Sequence, residues 1–149
     1  MLDYLTSAWW RYLSDDQRRP RTRRLESVFR EGIARAATPS RKAAWFAALR
    51  DVAQSSDTLG WLHEVWDQRQ AIPGLTLAEL DYSRLAQHLA LRQVTGWRTL
   101  LDTQLGRIKD PDLAARFKFV MPALSADPAE RESWFVALND GSNRRREPW

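Results

Sequence analysis

The chain has 149 residues, with 23 Lys and Arg against 19 Asp and Glu for a net charge of +4, two His, eight Trp and no Cys. That length suits one globular domain spanning residues 1–149, and folding hides roughly 68–70% of the unfolded surface, so a hydrophobic core needs neither disulfides nor structural zinc. Thiol chemistry, cysteine-ligated metal and a disulfide framework are excluded, while the compartment stays open because a cysteine-free chain suits oxidising and reducing surroundings alike.

Apolar residues recur at helical spacing, and no run of period-two alternation is bounded by turn residues, which predicts an all-α fold. Leu2, Leu5, Trp9 and Leu13 form a first stripe, followed by a polar break at Ser14-Asp15-Asp16 and a basic run interrupted by Pro20. Leu25, Val28, Phe29, Gly32, Ile33 and Ala36 then follow the spacing of one buried helix face. Thr38-Pro39 offers a side-chain cap and a proline at the first helical position, where its missing N–H costs nothing. Trp45, Phe46, Leu49, Val52 and Ala53 supply the next face, with Trp45 and Phe46 assigned to the core.

Ser56 or Asp57 caps a further helix carrying Leu59, Leu62, Val65 and Trp66, which ends before the turn Ile72-Pro73-Gly74. Thr76 opens a helix with Tyr82, Leu85, Ala86 and Leu89 inward, and Gly96 separates it from the helix of Trp97, Leu100, Leu101, Leu105 and Ile108. Asp110-Pro111 starts the helix of Leu113, Phe117, Val120, Met121 and Leu124, which Pro122 kinks or ends. Asp127-Pro128 starts that of Trp134, Phe135 and Leu138, with Trp134 and Phe135 again assigned to the core, and Ser142 caps a last helix. About eight or nine short helices with brief connections predict stacked antiparallel hairpins. The stretch from Thr38 to Leu49 aligns without gaps on that from Asp127 to Leu138, a separation compatible with two solenoid units of roughly 34–47 residues in a right-handed, HEAT- or armadillo-like superhelix.

Candidate chemistry is sparse. His63-Glu64 begins like the zinc-protease pattern His-Glu-x-x-His, but the fifth position is Asp67, and the other histidine, His88, falls on a different helix. No serine sits in a Gly-x-Ser-x-Gly elbow and no glycine-rich phosphate loop is present, so no catalytic or metal-binding residue is assigned. The acidic pairs Asp15-Asp16, Glu79 with Asp81, and Glu130 with Glu132 lie near helix starts, where they complement the helix dipole. Five arginines in the stretch from Arg18 to Arg24, and Arg144-Arg145-Arg146, raise nucleic acid as a partner. The simpler reading pairs the arginines with Glu26, Glu31 and the acidic helix starts on a solvated surface, and no nucleic acid is expected. Trp10, Trp61 and Trp149 are the tryptophans least clearly inward, and mark a candidate interface.

Three segments carry a resemblance: Gln104-Leu105-Gly106-Arg107-Ile108-Lys109-Asp110-Pro111-Asp112, Phe117-Lys118-Phe119-Val120-Met121-Pro122-Ala123-Leu124-Ser125, and Asn143-Arg144-Arg145-Arg146-Glu147-Pro148-Trp149. With Arg131 to Phe135 and the leucine-rich stretches Leu75 to Asp81 and Leu89 to Arg92, they resemble the C-terminal helical domain of zinc metallo-aminopeptidases of the aminopeptidase N type. The resemblance implies a superhelical array that packs on a catalytic domain and encloses its active-site cavity. It places the zinc, the His-Glu-x-x-His helix and the Gly-x-Met-Glu-Asn segment in that other domain, so none of them is expected here. It implies further that the chain is a piece of a larger enzyme, whose remainder and peptide substrate are its partners. Asn143, Arg144, Glu147 and Trp149 are the positions expected to make domain contacts. The alternatives are a stand-alone helical-repeat scaffold for a protein partner and a basic nucleic-acid-binding repeat.

Overall fold

The computed structural model describes residues 2–141. Among them the fold is all-α: α1 (Leu2–Arg11), a single-turn α2 (Asp15–Arg18), a 3₁₀ turn η1 (Arg19–Arg21), α3 (Thr22–Arg35), α4 (Pro39–Val52), α5 (Ser56–Trp66), α6 (Glu79–Leu91), α7 (Trp97–Arg107), α8 (Pro111–Val120), a second 3₁₀ turn η2 (Met121–Leu124) and α9 (Pro128–Ala137). No helix among the described residues is long and apolar enough to cross a membrane. The chain divides into two compact units, Met1–Leu77 and Ala78–Trp149.

The helix starts follow from side-chain capping. The Thr38 hydroxyl accepts the Arg41 N–H at 3.3 Å, the Asp110 carboxylate accepts that of Leu113 at 2.9 Å, and the Asp127 carboxylate accepts that of Ala129 at 2.8 Å. A proline stands directly after each cap, at a position that has no intrahelical donor to lose. For α5 the cap is Ser55, one residue earlier than the sequence suggests. Helix α6 starts at Glu79 rather than Thr76, because the Asp81 carboxylate reaches back to the Ala78 N–H at 2.9 Å.

Two helix ends turn through the left-handed region without a glycine. Gln68 and Gln93 adopt φ of 60° and 54°, and the bonds Arg69 N–H to Glu64 O with Gln68 N–H to Val65 O form a Schellman motif at the end of α5. Val94 N–H to Leu89 O with Gln93 N–H to Ala90 O repeats it after α6. At Ile72-Pro73-Gly74 the chain turns with proline second, glycine at φ 73° third and Leu75 N–H bonded to Ile72 O at 3.0 Å, the arrangement of a type II turn.

In the first unit α4 packs on both α3 and α1. Phe29, Ile33, Phe46, Leu49, Val52, Leu62, Val65 and Trp66 are buried there, each such side chain contributing roughly 1.5–3 kcal/mol of transfer free energy. The Trp45 indole lies directly against Gly32, where a Cβ would come within 2.3 Å of its Cδ2. The same ring is 5.8 Å from that of Phe29. Helix α3 therefore buries Thr22, Glu26, Phe29 and Ile33 and leaves Val28 exposed, a face rotated from the apolar stripe of the sequence.

Glu26 departs furthest from expectation: it is 2% exposed rather than paired with arginines at the surface. Its carboxylate accepts the backbone N–H of Gln54 at 2.8 Å and of Ser55 at 3.0 Å, the Thr58 hydroxyl at 2.8 Å, and the Ser55 hydroxyl. These donors come from the start of α5, whose unsatisfied N–H groups and positive dipole end favour an anion.

In the second unit α6 packs on α7, and α8, η2 and α9 follow. Leu85, Ala86, Leu89, Ala90, Leu100, Leu101 and Phe117 are buried, with Gln104 donating to the buried Ser83 hydroxyl at 3.4 Å. The four aromatic core assignments divide. Phe46 is 2% exposed, whereas Phe135 is 62% exposed and not core; Trp45 and Trp134 are half-buried. On α9 the Trp134 indole sits 5.7 Å from the Phe119 ring and donates its N–H to Phe119 O at 2.7 Å. The next residue projects about 100° around the helix and finds no such cover.

Candidate functional site

The second unit carries an open cleft of about 1120 Å³ formed by α7, α8, η2 and α9. Apolar atoms of Trp97, Leu101, Phe119, Met121, Pro122 and Trp134 line it, and Asp102, Lys118, Asp127 and Ser133 add polar groups. The proline caps of α8 and α9 set the directions from which these side chains enter, since each helix starts at a fixed, capped residue.

One polar cluster ties the cleft together. Arg98 of α7 donates from Nη2 to both Glu130 carboxylate oxygens of α9, at 2.9 and 3.0 Å, and to Ser125 Oγ at 3.4 Å. Its guanidinium also lies 4.5 Å above the Trp97 ring, a cation–π contact. Ser125 is buried between η2 and α9, where its hydroxyl accepts the Asp127 N–H at 3.0 Å and its carbonyl accepts from Arg131 at 2.6 Å. Hydrogen bonding from Ser125, and then from Arg98, holds the Glu130 carboxyl below its ordinary range. Arg98 and Glu130 neutralise one another, so the cleft offers an aromatic floor and a rim of both signs, with Lys118 against Asp102 and Asp127.

The other sequence candidates lie elsewhere. His63, Glu64 and Asp67 belong to α5 and its end in the first unit, with the His63 ring 5.5 Å from that of Trp66. His88 is buried on α6 in the second. Among the described residues no group of three His, Asp or Glu side chains is placed to hold a metal ion.

Of the arginine run, Arg18 is structural: it donates to the carbonyls of Leu13 and Trp9, pairs with Asp15, and stacks 4.8 Å from the Trp10 ring. Arg21 donates to Gln17 O at 2.7 Å, and Glu31 pairs with Arg35 at 3.2 Å rather than with the run. Trp10 is likewise engaged within its unit, donating its indole N–H to Asp51 O at 3.1 Å. Asn143, Arg144, Glu147 and Trp149 fall outside the described residues.

The Arg98–Ser125–Glu130 cluster escaped sequence reading because its members are 27 and 32 residues apart from Arg98. The acidic helix start at Glu130 is the visible trace of it. Comparison with protein-family models, with curated proteins and with solved structures finds no match to the chain.

Proposed function

We propose that the chain acts as the non-catalytic C-terminal helical domain of a zinc metallo-aminopeptidase, packing on the catalytic domain and helping to enclose its active-site cavity. The observation that supports this reading best is the α7–α9 cleft. It is open and wide, floored by Trp97 and Trp134 and rimmed by both signs of charge, a surface suited to an extended peptide that must slide. Aromatic rings supply apolar contact with little loss of side-chain freedom, and a mixed rim tolerates many sequences. The tie from Arg98 to Glu130 holds the walls in register.

In this reading the successive hairpins α3–α4 and α6–α7 are units of a HEAT- or armadillo-like superhelix, and the wall limits by size which substrates reach the zinc. Exclusion of water around bound peptide follows once the domains close. Zinc and the reacting groups belong to the catalytic domain, and no chemical step is assigned to this segment. Purified protein is then expected to bind no stoichiometric zinc and to release no amino acid from aminoacyl substrates, as measured by metal analysis and a fluorogenic assay. Turnover that rises and falls with bound zinc would overturn the proposal.

A further inference from the structure

A second, smaller cavity lies wholly within the first unit, with a volume of about 300 Å³. Its walls are Ile33 of α3, Trp61 of α5, and Ile72 and Pro73 of the type II turn; its polar groups include Arg30 of α3 and Lys42 of α4. Both cations are half-buried, and among the described residues no carboxylate lines the cavity. The nearby acids along α3 are occupied: Glu26 holds the start of α5, and Glu31 pairs with Arg35.

Arg30 is held in place. Its guanidinium lies 4.5 Å above the Trp61 ring, which itself rests edge-on against Phe46 at 6.2 Å. A guanidinium presents an N–H edge that matches a planar, two-oxygen acceptor. The Lys42 stem runs past the turn, its Cε 3.4 Å from where a Cβ at Gly74 would stand. Glycine at φ 73° is what the third position of the type II turn requires.

Two half-buried cations beside apolar walls favour an anion carried on a compact apolar body. We propose that this cavity is a binding site for a small carboxylate with a flat apolar body, its carboxylate on Arg30 and Lys42 and its body against Ile33, Ile72 and Pro73. A carboxylate matches the arginine edge and, with its single charge, sheds its water at lower cost than a phosphate dianion. The volume admits a fragment-sized ligand rather than a nucleotide.

The test is titration of the 149-residue chain with benzoate, followed by isothermal calorimetry and by NMR of the arginine side-chain Nε–H signals. Benzamide serves as the neutral isostere, and inorganic phosphate as the competing anion. Benzoate is expected to bind with Kd of about 1 mM, the range for so few atoms, and to shift the Arg30 signal. Benzamide and phosphate are expected to bind at least about tenfold more weakly. Arg30→Gln on α3 and Lys42→Gln on α4 should each weaken benzoate by about tenfold, with circular dichroism confirming the fold. If one variant fails to fold, the other carries the test. No benzoate binding, equal binding of benzamide, preference for phosphate, or benzoate affinity untouched in both variants would each overturn the assignment.

Discussion

Helices α4 and α9 begin alike and end up differently. Each has an oxygen-bearing cap, a proline at the first helical position and a Trp-Phe pair seven and eight residues beyond the cap. In α4 the Phe is buried and in α9 it is exposed. The difference lies in the neighbours. Helix α4 lies against α1 and α3, with the Trp61 ring closing over Phe46, whereas the main partner of α9 among the described residues is the short η2 turn. A local pattern sets where a helix starts and which side chains share a face, and tertiary partners decide whether that face is covered.

The sharpest way to break the comparison is to truncate the two phenylalanines. Phe46→Ala should cost about 3–5 kcal/mol by loss of buried area and creation of a cavity, while Phe135→Ala should stay within about 0.5 kcal/mol, both read from urea unfolding. Equal costs would mean that the two helices are covered alike. Next in size is Gly32→Ala, which drives a methyl group into the Trp45 ring and should cost about 1–3 kcal/mol. Combining it with Trp45→Leu should recover part of the loss, since the two residues are in contact.

The caps should behave alike, because capping is local. Thr38→Ala and Asp127→Ala are each expected to lower stability by about 1 kcal/mol, and a large asymmetry would show that tertiary contacts reach even the helix starts. The smallest effect concerns pH. Glu130 is held below its ordinary value of 4.5, so its contribution to the tie between α7 and α9 is present above the unfolded-state value and is lost as pH falls through the folded one. Titration followed by NMR should show α9 loosening in acid while α4 stays unchanged, and Glu130→Gln should remove that pH dependence.

Much of the helical framework was legible in the sequence because its signals are local. The pairs Thr38-Pro39, Asp110-Pro111 and Asp127-Pro128 each cap a helix, and Ile72-Pro73-Gly74 forms the turn it suggests. What escaped depends on partners distant in the chain. Glu26 reads as a surface charge until Ser55 and Thr58, 29 and 32 residues on, are brought to it. Gln68 and Gln93 carry no mark of their positive φ, since a helix end stabilised by two backbone bonds can impose that conformation on a residue other than glycine. The candidate sites are of the same kind. Arg98 meets Glu130, Arg30 meets Trp61, and Lys42 comes to line the same cavity as Arg30, only through helix packing.

The proposed role rests on a catalytic domain in the same polypeptide, and sequencing the coding DNA on both sides of this segment tests that most directly. An upstream, in-frame His-Glu-x-x-His motif followed by a zinc-ligating glutamate is expected. An upstream stop codon with no such motif between it and this segment would contradict it.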